Sequence, residues 1–195
     1  KKISNSAPLN QINGLIKLFK KSKGKIIFLL DGDDLFKKRK LKDIFKIFKK
    51  NKKINFIQDI PFLRDKNRLM VLKKRNHFFS IWPRFYPTST ITVRRKFFLE
   101  FLRFSEKRKF LNLEIDARLS MFAFLKKNFL ITNKSFTIYN YDKTGITSKY
   151  KKYHISWWIK RNEAFSYFIF LHKKMNIRFL RGIDFFLTRL INAFI

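Results

Sequence analysis

Residues 25–30 (KIIFLL) run straight into Asp31, Gly32, Asp33 and Asp34. Five apolar residues in a row fit a strand covered on both faces, as in the interior of a parallel sheet, better than a half-exposed strand. This run therefore demands apolar layers above and below it, and it points to an α/β fold.

The flanking pattern agrees. Residues 9–21 place Leu9, Ile12, Ile16 and Phe19 at helical spacing, and residues 22–24 (SKG) break the helix. After the acids, Leu41, Ile44, Phe45 and Phe48 mark one face of a helix running to about Lys50, which Asp34 can cap. Residues 54–58 (INFIQ) read as another strand, and helix, strand, helix, strand in succession is the α/β signature. Residues 59–85 read as a basic, irregular stretch. Beyond it the pattern predicts a strand over 88–93 (TSTITV), helices over 94–104 and 113–127, and short strands over 129–132 and 136–139. Residues 143–152 form a loop with Gly145 as its flexible point, and two helices close the chain, over 156–174 and 176–195. The expected division is an α/β domain over residues 1–150 followed by a helical region over 151–195.

At 195 residues one domain is expected. With 46% hydrophobic residues and 26 Phe a substantial core can form. Lys+Arg number 46 against 13 Asp+Glu, a net charge of +33, which invites a polyanionic partner. Abundant Lys, Phe, Ile and Asn with little Ala, Gly and Pro is also what an A+T-biased coding sequence produces. The cations are spread along the whole chain and form no block, which argues against a nucleic-acid module. There is no Cys and there are three scattered His, so a thiolate or imidazole metal site is not expected and any metal must be held by oxygen. No apolar stretch is long enough to span a bilayer and no signal peptide is visible, so the expected compartment is the cytoplasm. The chain begins without Met and is expected to start inside a longer protein.

In open α/β sheets ligands bind beyond the carboxyl ends of strands, where Asp31, Gly32, Asp33 and Asp34 sit. Gathering three carboxylates is unfavourable through mutual repulsion, and a divalent cation is the usual compensation. Mg²⁺ or Mn²⁺, hard ions that share oxygen ligands with substrate phosphates, fit such a site. Gly32 lets the backbone bend and a ligand come close. Two enzyme classes place D-x-D after an apolar strand. In a haloacid-dehalogenase-type phosphatase Asp31 would be the nucleophile and Asp33 the general acid, with a further acidic pair downstream. Among the acids after Asp34 no adjacent pair ends an apolar strand, which weighs against that class.

Residues 24–41 (GKIIFLLDGDDLFKKRKL) instead resemble the acidic block of family 2 glycosyltransferases, which have the GT-A fold, a Rossmann-like mixed sheet flanked by helices. Residues 87–98 (PTSTITVRRKFF), with Thr88 and Ser89, resemble the segment lining the sugar pocket. Residues 113–125 (LEIDARLSMFAFL) resemble the helix bearing the catalytic base of inverting members. The resemblance implies a nucleotide-diphosphate sugar as donor. Asp31 would lie near its ribose and the metal, with Gly32 also at the donor, and Asp33 with Asp34 would hold the metal bridging its diphosphate. Glu114 and Asp116 are the candidates for the base. Two positions apart on a helix they point about 200° apart. Glu114 has Arg118 at i+4 for an ion pair, whereas Asp116 has no basic residue at i+3 or i+4, so Asp116 is preferred.

The chain also departs from the family pattern. Members usually begin with a strand and helix that bind the nucleobase, and residues 1–150 lack them. Many carry a His after the late strands. Residues 139–149 have none, and Ser148, Lys149 or Lys151 can take its place at the diphosphate, Lys149 being our choice. Residues 153–161 (YHISWWIKR) are not the Gln-x-x-Arg-Trp signature of processive synthases, so a single transfer to a cell-envelope glycan or lipid-linked acceptor is expected. Trp157 and Trp158 read as core anchors ahead of sugar platforms. In residues 176–195, Arg181, Asp184, Thr188 and Asn192 form one polar stripe, which suits either packing on the domain or lying on an anionic membrane surface. The competing reading of the whole chain is a non-catalytic basic module binding nucleic acid or membrane.

Overall fold

The computed structural model describes residues 6–65, 68–71, 81, 85–106, 109–140 and 150–195. Its first helix, α1 (Ala7–Lys21), starts where Ser6 accepts the Leu9 N–H, with Pro8 in the first turn where no amide donor is needed. Leu9, Ile12, Ile16 and Phe19 make its buried face. Strands β1 (Ile26–Phe28) and β2 (Leu35–Phe36) follow, then α2 (Lys40–Lys50). Asp34 lies too far upstream to cap α2, whose N-cap is Arg39. The short β2 intervenes.

Strand β3 (Phe56–Asp59) leads into β4 (Phe62–Asp65) and β5 (Arg68–Val71), an antiparallel pair in the stretch read from sequence as irregular. Thr88–Thr90 is a 3₁₀ turn and not the start of a strand; β6 (Ile91–Arg94) begins only after it. Then come α3 (Arg95–Leu102), α4 (Ile115–Leu125), β7 (Phe129–Thr132), β8 (Thr137–Asn140), α5 (Ile155–Lys174) and α6 (Ile183–Ala193). The single helix expected over 176–195 is shorter by its first seven residues. Asn176 adopts φ 54°, and the Ile177 N–H donates to the His172 carbonyl, a left-handed cap that stops α5 before α6 can begin.

Two sheets form, in the orders β1-β6-β3-β7 and β2-β8-β4-β5. Both are mixed: β3 runs parallel to β7, and β4 to β8, while the remaining pairs are antiparallel. The parallel interior expected for β1 is not found, because among the described residues β1 pairs only with β6, antiparallel, at the sheet end. Its two apolar faces have another cause. Ile27 and Leu29 pack into the large core with α1, α3, α4 and α5, while Ile26 and Phe28 pack with Ile44 and Phe48 of α2. The strand is apolar throughout because it separates two cores. Helix α4 is surrounded, with Leu119, Met121, Phe122 and Ala123 all buried. Its Arg118, fully buried, donates to the carbonyls of Leu113, Ser105, Glu106, Lys109 and Phe110. That satisfies the guanidinium with backbone oxygens and ties residues 105–113 to α4.

Candidate functional site

The acid turn is fastened from behind. Pairing of β1 with β6 extends one residue further, the Leu29 N–H donating to Ile91 O. The Asp31 N–H then donates to Ser89 Oγ at 2.8 Å, and the Asp34 N–H closes the turn onto Asp31 O. Behind Ser89 lies a fully buried ion pair: Lys40 Nζ is 2.9 Å from Asp59 Oδ2 and donates to Ser89 O and Thr137 Oγ1, each at 2.6 Å. Asp59 in turn accepts the Phe136 and Thr137 N–H groups and the Thr137 hydroxyl. Burial lowers the Lys40 pKa and the Asp59 carboxylate opposes that shift. One network thus joins both sheets directly beneath the acid turn.

The three acids are not equivalent. Asp33 is exposed and Asp31 half-buried, while Asp34 is 4% exposed. Asp34 Oδ1 accepts the Asn140 N–H at 2.9 Å, and the Asn140 side-chain amide binds the Asp33 carbonyl, so the end of β8 clamps the turn. Asp34 Oδ2 meets no donor at bonding geometry. Burial pushes the Asp31 carboxyl up to about 6, with the Asp34 and Asp33 carboxylates adding to it and bonds from Thr88 and Gln11 opposing it. Burial also raises Asp34.

Thr88 and Ser89 are both brought to Asp31. Ser89 is fully buried, so it reaches a ligand only through the residue it positions. Gly32 is exposed, and a Cβ there would meet nothing within 4 Å, so the fold itself does not demand glycine. Lys149, Ser148 and Gly145 lie outside the described residues.

Asp116 stands in the first turn of α4, half-buried, with Oδ1 accepting the Ala117 N–H at 2.7 Å. Burial, then the Glu114 carboxylate, push it up to about 7; Lys160 opposes the shift and Asp31 adds to it. Glu114 does not take the expected partner. It is the N-cap residue of α4 and pairs with Lys160 at 2.5 Å, because Arg118 is committed to backbone carbonyls. With Glu114 outside the helix, the 200° argument between the two acids does not apply.

Tyr139 of β8 is the residue that sequence reading missed. Burial raises its hydroxyl to about 12, and Asp34, Asp116, Asp33 and Asp31 all add to the shift. One phenol therefore feels all four carboxylates, which come from two chain segments some eighty residues apart. A tyrosine on a short strand carries no signal of this by itself. Lys40, Asp59 and Asn140 were likewise unread, although Lys40 opens α2 at a spot where an exposed basic residue would be ordinary.

No three His, Cys, Asp or Glu side chains among the described residues converge into a ready-made cation site. The donors nevertheless suit Mg²⁺ or Mn²⁺, which are commonly held by one or two carboxylates together with substrate phosphates. Asp33 is exposed and faces outward, Asp31 is half-buried with its carboxyl raised first by burial and then by its acidic neighbours, and Asp34 Oδ2 meets no donor at bonding geometry. Trp157 and Trp158 sit at the start of α5, half-buried and edge to face at 4.7 Å, with the Arg161 guanidinium over Trp157. They are neither fully buried nor part of the acid turn.

No curated protein matches the chain. Among solved structures it is similar to the S. aureus protein described as "TarS 1-349 in complex with UDP-GlcNAc", with a TM-score of 0.54 and 13% identity. The match covers 81% of this chain and 45% of the TarS chain, so less than half of that protein's length is represented. At that identity the likeness establishes the fold, the mixed α/β arrangement of GT-A transferases. The family model "Glycosyl transferase family 2" matches residues 1–132, the stretch holding α1, the acid turn, Lys40, Asp59, Ser89 and Asp116. The chain belongs to glycosyl transferase family 2.

Proposed function

We propose that the chain forms the cation-binding and base-bearing part of a glycosyltransferase that moves one sugar, with inversion, from a nucleotide-diphosphate sugar to a cell-envelope glycan or lipid-linked acceptor. The observation that carries this reading is the acid turn after β1, held open at the strand end by Ser89 on the Asp31 amide and by Asn140 on Asp34. The crystal complex of TarS was obtained with UDP-GlcNAc, so uridine diphosphate sugars are the first donors to try. We assign the reaction to the cytoplasm.

Asp33 and Asp34 would hold Mg²⁺ or Mn²⁺, which when bound supplies positive charge against the departing diphosphate. Asp31, fixed through its amide to Ser89, orients the ribose end of the donor beside that site. Asp116 accepts the proton of the acceptor hydroxyl as its oxygen bonds to the anomeric carbon and the bond from that carbon to the diphosphate oxygen breaks. A carboxylate raised to about 7 is a stronger base than an ordinary one and remains partly ionised at neutral pH. Lys160, bound to Glu114, keeps the neighbouring acid paired so that Asp116 alone takes the proton.

Turnover of a UDP-sugar with Mn²⁺ tests this. Asp116→Asn should lower kcat by roughly 10²–10⁴-fold with little change in donor KM, the usual size of a lost general base. If kcat survives in Asp116→Asn and collapses in Glu114→Gln, the base is Glu114 and the assignment fails.

A further inference from the structure

Helix α6 is packed with its polar side inward. Asp184 Oδ2 accepts from Arg161 at 2.7 Å, Thr188 is fully buried, and the Asn192 amide donates to Trp158 O at 3.1 Å. The opposite side is apolar and faces outward: Ile183 is 70% exposed, Phe186 55%, Leu187 48%, Leu190 59% and Phe194 84%. These positions fall at i, i+3, i+4, i+7 and i+11, one continuous stripe on a helix. Arg161 and Asp184 explain the inversion. An ion pair with side chains 22% and 10% exposed holds α6 to α5 by its polar face, leaving the apolar face with no protein to cover it among the described residues. Leu180, 70% exposed, extends the patch into the preceding turn.

Charge identifies the occupant. Lys173 and Lys174 at the end of α5 and Arg178 and Arg181 in the segment leading into α6 are exposed, while the only acid in residues 173–195 is Asp184, buried and paired. Association of two copies through this face would bring like charges together with no exposed acid to offset them, which is unfavourable. An anionic lipid surface supplies both needs at once, acyl boundary for the stripe and phosphates for the cations. No helix among the described residues is long and apolar enough to cross a membrane, so the geometry is that of a helix lying in the interface. We propose that α6 and its preceding turn dock the protein on an anionic bilayer, with Phe186, Leu187 and Leu190 sunk below the headgroups. This stands independently of the sugar-transfer reading.

A chain this basic adheres to anionic vesicles by charge alone, so the test must read insertion. The sequence has no Cys, and Leu190→Cys therefore gives a single site for an environment-sensitive fluorophore such as NBD. With vesicles of phosphatidylcholine and phosphatidylglycerol the emission should shift to the blue and rise several-fold, and the change should persist at high salt. The same label at exposed Lys49→Cys on α2 should not respond. As a second measure, Phe186→Ser with Leu187→Ser should lose salt-resistant co-sedimentation with these vesicles while the thermal midpoint stays put. A silent label at position 190 on a protein that still pellets with vesicles would overturn the proposal. So would a response that grows with protein concentration without vesicles, which would mean a second copy covers the stripe, or salt-resistant binding that survives the double serine variant.

Discussion

At the carboxyl end of β1 the polar groups are layered: the buried Lys40–Asp59 pair lies at the bottom, Ser89 and Thr88 in the middle, and exposed Asp33 at the top. On α6 the layering is reversed, with Asp184, Thr188 and Asn192 turned inward and leucine and phenylalanine outward. In the first region buried polar contacts serve to present a charge, and in the second they serve to present apolar surface. What a segment offers to a partner follows from which of its stripes the fold consumes, and composition alone does not decide that.

Removing the acid from each region's ion pair should show the difference most strongly. Asp59→Ala leaves Lys40 without its counter-charge in a fully buried site and strips three donors of Phe136 and Thr137 of their acceptor, a loss of about 3–5 kcal/mol of stability. Asp184→Ala disturbs a pair that retains some solvent and should cost nearer ~1 kcal/mol. Chemical unfolding of both variants measures this. Equal losses would mean that the two networks are alike after all.

A smaller effect follows from pH. The Asp116 carboxyl is raised from 3.8 to about 7, so the folded protein holds this proton more tightly than the unfolded chain. Its contribution to stability is therefore present below pH 4 and lost as pH rises from about 4 to about 7. Asp116→Asn cannot ionise. Its thermal midpoint should match wild type at pH 4 and exceed it by a few degrees at pH 8. A wild type that gains on the variant with rising pH would show that the carboxylate is stabilised where it sits.

The acid turn was legible because its chemistry is local: five apolar residues and three acids within one short stretch are enough to place a strand end and its charges. The helix face at residues 9–21 was legible for the same reason, being set by spacing alone, but the face over 40–50 was only half right: Ile44 and Phe48 are buried, whereas Leu41 and Phe45 are 54% and 55% exposed and Lys40 is buried on that helix instead. Tyr139 and the Lys40–Asp59 pair were not legible, because their meaning lies in partners 19 to 108 residues distant that only the sheet pairings bring together. The Glu114–Arg118 pair failed because i+4 spacing describes an exposed helix, and here the N-cap residue and a buried guanidinium occupy those positions. For α6 the stripe was visible and its direction was not, since the sequence does not say that Arg161 waits on the neighbouring helix for Asp184.

The central claim is that the turn after β1 holds a divalent cation together with a nucleotide diphosphate. Calorimetric titration of UDP into the protein, with Mn²⁺ present and absent, tests it most directly when repeated on Asp33→Asn. The prediction is binding that requires Mn²⁺ and weakens at least about tenfold in the variant, a difference of ~1.4 kcal/mol. Binding of equal strength without Mn²⁺, or unchanged by Asp33→Asn, would contradict it.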